Sequence, residues 1–146
     1  MRAAVLTVSD GVSAGKREDR SGDLLEELLA GEGFEVVRRV VPDERDSIAD
    51  AIAELAAEAR VVLTTGGTGL GPRDVTPEAT AQVLDRGAPG IAEAIRADSI
   101  AKTPHALLSR GIAGVRGTVL VVNLPGSPGG SRDGFEIGRA SCRERV

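Results

Sequence analysis

Apolar positions along this chain fall into two alternating rhythms. Short runs rich in Val, Leu and Ala at residues 3–9, 35–41, 60–65 and 118–123 read as buried strands. Between them lie helical stripes. Leu24, Leu25, Leu28 and Leu29 recur at i, i+1, i+4 and i+5, and Ile48, Ile52, Leu55 and Ala59 at i, i+4, i+7 and i+11. Gly31-Glu-Gly33 stops the first helix, and Pro42 ends the second strand. Two further helices are expected at residues 77–86 and 89–99, separated by Gly87-Ala-Pro89.

Strands alternating with helices predict an α/β fold: a three-layer α/β/α arrangement around a mostly parallel, doubly wound sheet. Residues 112–115 and 118–123, joined by Arg116-Gly117, read as a hairpin that adds one antiparallel strand. Such sheets bind ligands beyond the carboxyl ends of their strands. Residues 1–137 form one domain, without a repeat or linker. Residues 131–137 look like the start of a helix, but residues 138–146 carry no apolar stripe and are expected to be a frayed or non-native tail.

At 146 residues the chain can bury a real core, and with 41% apolar but only 1% aromatic residues that core must be aliphatic. Phe34 and Phe135 are the only aromatics, which excludes base stacking as a binding mode. A net charge of −4 with scattered basic residues gives no footprint for nucleic acid. The single cysteine, Cys142, excludes an internal disulfide and fits a reducing cytoplasm. The opening apolar run is too short for a signal peptide or a membrane span, so a cytoplasmic protein is expected.

The densest chemistry follows the third strand, in Thr64-Thr-Gly-Gly-Thr-Gly-Leu-Gly-Pro-Arg-Asp-Val-Thr-Pro-Glu-Ala79. Gly66, Gly67, Gly69 and Gly71 strip side chains from the strand end, so that backbone amides can close on an anion. Arg73 and Asp74 set a cation beside a carboxylate. Thr76-Pro77-Glu78 then reads as N-cap, first helical proline and first-turn acid. A tight turn alone needs one or two glycines, not four followed by Arg-Asp. The segment therefore reads as a phosphate site with a group able to hold a metal.

Other strand-end loops add candidates. Ser9 and Asp10 follow the first strand. In Gly11-x-x-x-Gly15-Lys16-Arg17 the spacing is one residue short of a P-loop and lacks its Ser or Thr, so residues 16–20 read as a solvated loop with Ser21 capping a helix. Asp43 comes three residues before Asp46, which with Ser47 is a candidate cap for the next helix. After the fourth strand, Asn123-Leu-Pro-Gly-Ser-Pro-Gly-Gly130 brings Asn123, Pro125, Gly126 and Ser127 to the same end of the sheet. His105, the only histidine, reads as a surface or capping residue. Without a Cys/His cluster, structural zinc is excluded, and any metal should be a hard cation, magnesium, held by carboxylates and phosphate oxygens.

Taken in order, these segments resemble the MogA/MoaB family of molybdenum-cofactor biosynthesis proteins, related to the G domain of gephyrin. The resemblance rests on Thr7-Val-Ser-Asp10, Asp19-Arg-Ser-Gly22, Pro42-Asp43, Thr65-Gly-Gly-Thr-Gly69, Pro72-Arg-Asp-Val-Thr-Pro-Glu-Ala79, Ser99-Ile-Ala-Lys-Thr-Pro104, Leu108-Ser-Arg110 and Asn123-Leu-Pro-Gly-Ser-Pro-Gly129. The glycine turn with its Arg-Asp-x-Thr-Pro-Glu-Ala extension is the most specific of them.

The resemblance implies a MogA-like molybdopterin-binding fold and Mg2+-dependent adenylyl transfer, in which ATP and molybdopterin give adenylyl-molybdopterin and pyrophosphate. It makes Asp43 and Asp74 the essential aspartates and carries substrate contacts onto Ser9, Asp10, Gly66, Gly67, Thr68, Gly69, Ser99, Ser109 and Asn123. On this chemistry Asp43 and Asp74 hold the magnesium, the residue 66–69 amides cradle phosphate, and Arg73 offsets charge on the leaving pyrophosphate. The resemblance also implies a homo-oligomer, a trimer or a larger MoaB-like assembly, with a molybdate-insertion enzyme as a downstream partner. The alternatives are a MoaB-like protein that binds molybdopterin without efficient adenylyl transfer, and a generic scaffold or nucleotide-binding domain from a larger cofactor-insertion protein.

Overall fold

The first strand, β1 (Arg2–Val8), is buried at every position after Arg2, because it lies between two parallel neighbours. In this computed structural model the backbone of residues 1–145 and the side chains of residues 1–139 are described. On one side β1 pairs with β2 (Glu35–Val41), on the other with β3 (Val61–Thr65), and β3 pairs in turn with β6 (Val119–Leu124), all parallel. β5 (Ala113–Arg116) runs antiparallel to β6. A two-residue strand, β4 (Arg86–Gly87), runs antiparallel to β5 and completes the order β2-β1-β3-β6-β5-β4. β4 stands where the sequence suggested only a break between helices; two residues carry no period to read.

Strand alternation sends side chains to two cores. Ala4, Leu6 and Val8 of β1 join Val119 and Val121 of β6 on one face, covered by Ile48, Ile52 and Leu55 of α3 (Arg45–Ala56) and Ala79 of α4 (Thr76–Val83). Ala3 and Val5, with Leu120, Val122 and Leu124, face the other way. There they meet Leu25 and Leu29 of α2 (Arg20–Gly31), Ile95 of α5 (Pro89–Lys102) and Phe135 of α6 (Pro128–Arg145). This is the expected three-layer arrangement. Among the described residues no helix is long and apolar enough to cross a membrane.

Helix starts differ from the sequence reading for local reasons. Asp19, not Ser21, caps α2 by accepting from the Gly22 amide, and Ser21 is buried inside the helix against Thr65. Neither Asp46 nor Ser47 caps α3, whose N-cap residue is Glu44. Thr76 is not a cap either. Its amide donates to the Gly67 carbonyl at 3.1 Å, which draws Thr76 into the first turn of α4 and leaves Val75 at the cap. The four-residue helix α1 (Asp10–Ser13), capped by the Ser9 hydroxyl, was not foreseen. α6 begins at Pro128 and stays helical to Arg145, through most of the segment expected to fray, and Arg139 pairs with Glu32. The Cys142 side chain and Val146 lie outside the described residues.

Candidate active site

Parallel register brings the carboxyl ends of β1, β2, β3 and β6 to one edge, with Val8 opposite Val41, Thr7 opposite Thr65 and Thr65 opposite Leu124. The turn after β3 crosses directly over this edge. Gly66 and Gly67 take φ values of +100° and +69°, and a Cβ on Gly66 would stand 2.3 Å from the Val8 carbonyl oxygen. Only glycine fits there. The Gly66 amide donates to the Leu124 carbonyl, so it does not belong to an anion cradle; among the described residues, the amides of Gly67, Thr68 and Gly69 donate to no backbone carbonyl. Thr65 anchors the neighbouring loop, its hydroxyl bonding Ser21, Ser131 and the Pro125 carbonyl.

Asp43, just past β2, is locked to Asp10, just past β1. The Asp10 amide donates to Asp43 Oδ2 and the Asp43 amide to Asp10 Oδ1, each at 2.9 Å. Arg73 reaches across from the glycine turn and lays its fork on Asp10, at 3.1 and 2.9 Å. That hydrogen bond holds the Asp10 carboxyl below its ordinary range. Burial pushes the Asp43 carboxyl above its ordinary range, and the negative charges of Asp10 and Asp74 push the same way. Arg73 is therefore engaged by Asp10, and Asp10 acts as a brace rather than an open ligand.

Asp74 folds back under its own turn, where Oδ2 accepts from the Gly71 amide at 2.9 Å. A Cβ on Gly69 or Gly71 would crowd this same oxygen at 3.0 and 2.9 Å, which explains two more of the four glycines. Asp43 and Asp74 open on one cleft of about 800 Å3, floored by Gly66 and Gly67 and flanked by Ser9, Gly126 and Ser127. Arg17 and Arg20 also line it, although residues 16–20 were read as a solvated loop. Among the described residues no three His, Cys, Asp or Glu side chains converge as a metal-binding group. Two carboxylates on one cleft, one of them lifted by burial and negative neighbours, suit a hard cation whose remaining ligands are substrate oxygens or water.

A second cavity of about 440 Å3 lies across the glycine turn, lined by Thr68, Gly69, Ser99, Ser109, Pro125 and Ser127 among others. Ser99 is buried, and its hydroxyl has no hydrogen-bond partner among the described residues. Asn123 lines neither cavity. Its amide group donates to the Thr64 and Thr80 hydroxyls and its oxygen accepts from the Ile112 amide, so its hydrogen bonds hold the sheet to α4.

Residues 4–138 match the family described as "Probable molybdopterin binding domain". The chain belongs to this family. It is 40% identical over 141 residues to the molybdopterin adenylyltransferase of Escherichia coli (strain K12), covering 93% of this chain and 72% of that one. It is also 44% identical to the molybdenum cofactor synthesis protein cinnamon of Drosophila melanogaster, covering 90% of this chain but only 23% of that protein. Among structures, the molybdopterin biosynthesis enzyme MoaB from Thermus thermophilus shares 48% identity at a TM-score of 0.88, covering 95% of this chain and 89% of that one. The molybdopterin biosynthesis Mog protein from Mycobacterium ulcerans shares 39% at 0.93, covering 98% and 95%.

In this member of the molybdopterin-binding family, sequence reading missed two braces. Arg38 of β2 pairs with Asp19, Asp23 and Glu26, and Asp19 also accepts from Thr7, fixing the start of α2 against the cleft wall. Arg110 ties the glycine turn to α4 through Glu78. Arg38 sits in no motif, and Leu108-Ser-Arg110, though part of the resemblance, names no partner for Arg110; only the long-range packing reveals what each arginine holds.

Proposed function

We propose that this chain transfers AMP from ATP to molybdopterin, with magnesium held between Asp43 and Asp74. The observation that carries this reading is that both carboxylates open on one cleft floored by a side-chain-free turn. The relative named molybdopterin adenylyltransferase, matched over 93% of this chain, supports it. A phosphate oxygen of molybdopterin bonds to the α-phosphorus of ATP as the bond to the bridging oxygen breaks, and pyrophosphate leaves. Such a step asks the protein for alignment and charge neutralisation rather than a strong base.

Asp43, held in place by Asp10, and Asp74, held by Gly71, would bind the ion together with triphosphate oxygens. Bound there, magnesium offsets charge on the leaving pyrophosphate. The amides of residues 67–69 cradle phosphate, and Arg17 and Arg20 on the rim add positive charge. The second cavity, with its Ser99 hydroxyl unpartnered among the described residues, takes the other substrate, so that Ser127, which lines both cavities, stands between the two. A homo-oligomer, a cytoplasmic location and hand-over of product to a molybdate-insertion enzyme belong to the same proposal. Exposed Ile100, Leu107 and Leu108 supply apolar surface for self-association.

The test is incubation of the purified chain with molybdopterin, ATP and magnesium, following pyrophosphate release and AMP attached to the pterin. Adenylylated pterin appears if the reading is right. Binding of molybdopterin with no product, where the Escherichia coli relative gives one, would replace it with the binding-only reading.

A further inference from the structure

Arg110 joins the two cavities. Its backbone amide donates to the Thr68 carbonyl at 2.8 Å, and its guanidinium donates to the carbonyls of Gly69 and Asp74, both at 2.8 Å. The same group forks onto Glu78, at 2.6 and 3.3 Å. That fork raises the Arg110 pKa and holds the Glu78 carboxyl below its ordinary range, so both partners stay charged at neutral pH. One planar side chain therefore grips both ends of the loop from Gly69 to Asp74 and fastens it to α4. The loop's other ties are the mutual bonds of Asp74 and Gly71 and the Arg73 fork on Asp10, neither of which reaches α4, while Leu70 points into solvent.

The other end of Arg110 belongs to the second cavity. Ser109 lines that cavity, and so does Arg96, whose guanidinium donates to the carbonyls of Gly111 at 2.7 Å and Ser109 at 3.4 Å. The segment carrying Arg110 is thus anchored on the second-cavity side and reaches through to Asp74. We propose that Arg110 is a positioning residue that sets the glycine turn and Asp74 in register with the wall of the second cavity. It touches neither nucleotide nor acceptor; it acts through Asp74. This rests on the reading given under Proposed function for what the two cavities hold. Lysine keeps the charge but cannot fork across two carbonyls and a carboxylate.

The experiment compares Arg110→Lys, Arg110→Met and Glu78→Gln with the unaltered chain in two readouts. Hydrogen exchange at the Gly71 amide should speed up in both arginine variants, and less in Glu78→Gln, at unchanged melting temperature. Adenylyl-transfer kcat should fall roughly ten- to a hundredfold in Arg110→Lys, the range for loss of a supporting contact. In an Asp74→Asn background, adding Arg110→Lys should cost little more, because the effect runs through a residue already lost. A simple loss of stability would instead add to the Asp74 effect. Additive losses, or unchanged exchange at Gly71, would overturn the proposal. If Arg110→Met does not fold, Arg110→Lys and Glu78→Gln decide it. An unaltered chain with no adenylyl transfer would end the functional reading alone, and exchange at Gly71 would still judge the clamp.

Discussion

Asp10 and Asp43 hold each other by a reciprocal pair of bonds, each backbone amide donating to the other's carboxylate at 2.9 Å. The pair ties the end of β1 to the end of β2 and leaves Asp43 aimed at the cleft. Asp10 then takes Arg73 as well. Asp10→Ala should therefore misplace Asp43 and release Arg73 together, lowering kcat by roughly a hundredfold, as expected for small misplacements of a catalytic group. Asp10→Asn keeps an acceptor for the Asp43 amide and should retain more activity. Steady-state kcat should rank the unaltered chain above Asn and Asn above Ala; equal rates for all three would remove Asp10 from the site's support.

Asp43 should destabilise the metal-free fold at neutral pH. Burial raises its folded pKa above the unfolded value of about 3.9. A raised carboxylate contributes stability only while protonated, fully below the unfolded value, and loses that contribution as pH rises through the folded value. In EDTA at pH 7, Asp43→Asn should melt at or above the temperature of the unaltered chain, and the difference should close as pH falls below about 4. A clear loss of melting temperature at pH 7 would mark Asp43 as a structural residue.

Gly66 admits no side chain. Its φ of +100° and the 2.3 Å approach of a Cβ to the Val8 carbonyl combine strain with a backbone clash. Gly66→Ala should cost at least about 1–3 kcal/mol from backbone strain alone. Urea unfolding measures this directly, and a shift within error of zero would mean the turn can move away.

Much of this was legible in the sequence, and the reasons differ by element. β2 matches its expected bounds because Val36, Val37, Val40 and Val41 form a dense β-branched run closed by Pro42. α3 was legible because Ile48, Ile52 and Leu55 repeat at helical spacing, and all three are buried. α1 is too short to show a period. The glycine turn announced itself by composition, yet its amides divide: that of Gly66 serves the sheet, while among the described residues those of residues 67–69 donate to no backbone carbonyl. Arg73 read as a free cation because nothing in the sequence shows Asp10 beside it, 63 positions away. Ser21 and Thr76 have cap-like chemistry, but tertiary contacts draw both inward.

Asn123 separates resemblance from geometry. The resemblance makes it a substrate contact, while the structure engages its whole amide group with Ile112, Thr64 and Thr80. Asn123→Ala strands the part-buried Ile112 amide and takes the amide donor from the buried Thr64 and Thr80 hydroxyls, of which Thr80 keeps its bond to the Thr76 carbonyl, a loss of about 1–3 kcal/mol. The urea midpoint should drop while the KM values of the folded fraction stay where they were. A raised KM at unchanged stability would restore the substrate-contact role.

The most direct measurement is calorimetric binding of a non-hydrolysable ATP analogue with magnesium and with EDTA. Two carboxylates on one cleft repel a bare triphosphate, so binding should require magnesium and should weaken sharply in Asp43→Asn and Asp74→Asn. Equal affinity in EDTA, or affinity unaffected by either substitution, would contradict a shared magnesium–polyphosphate site.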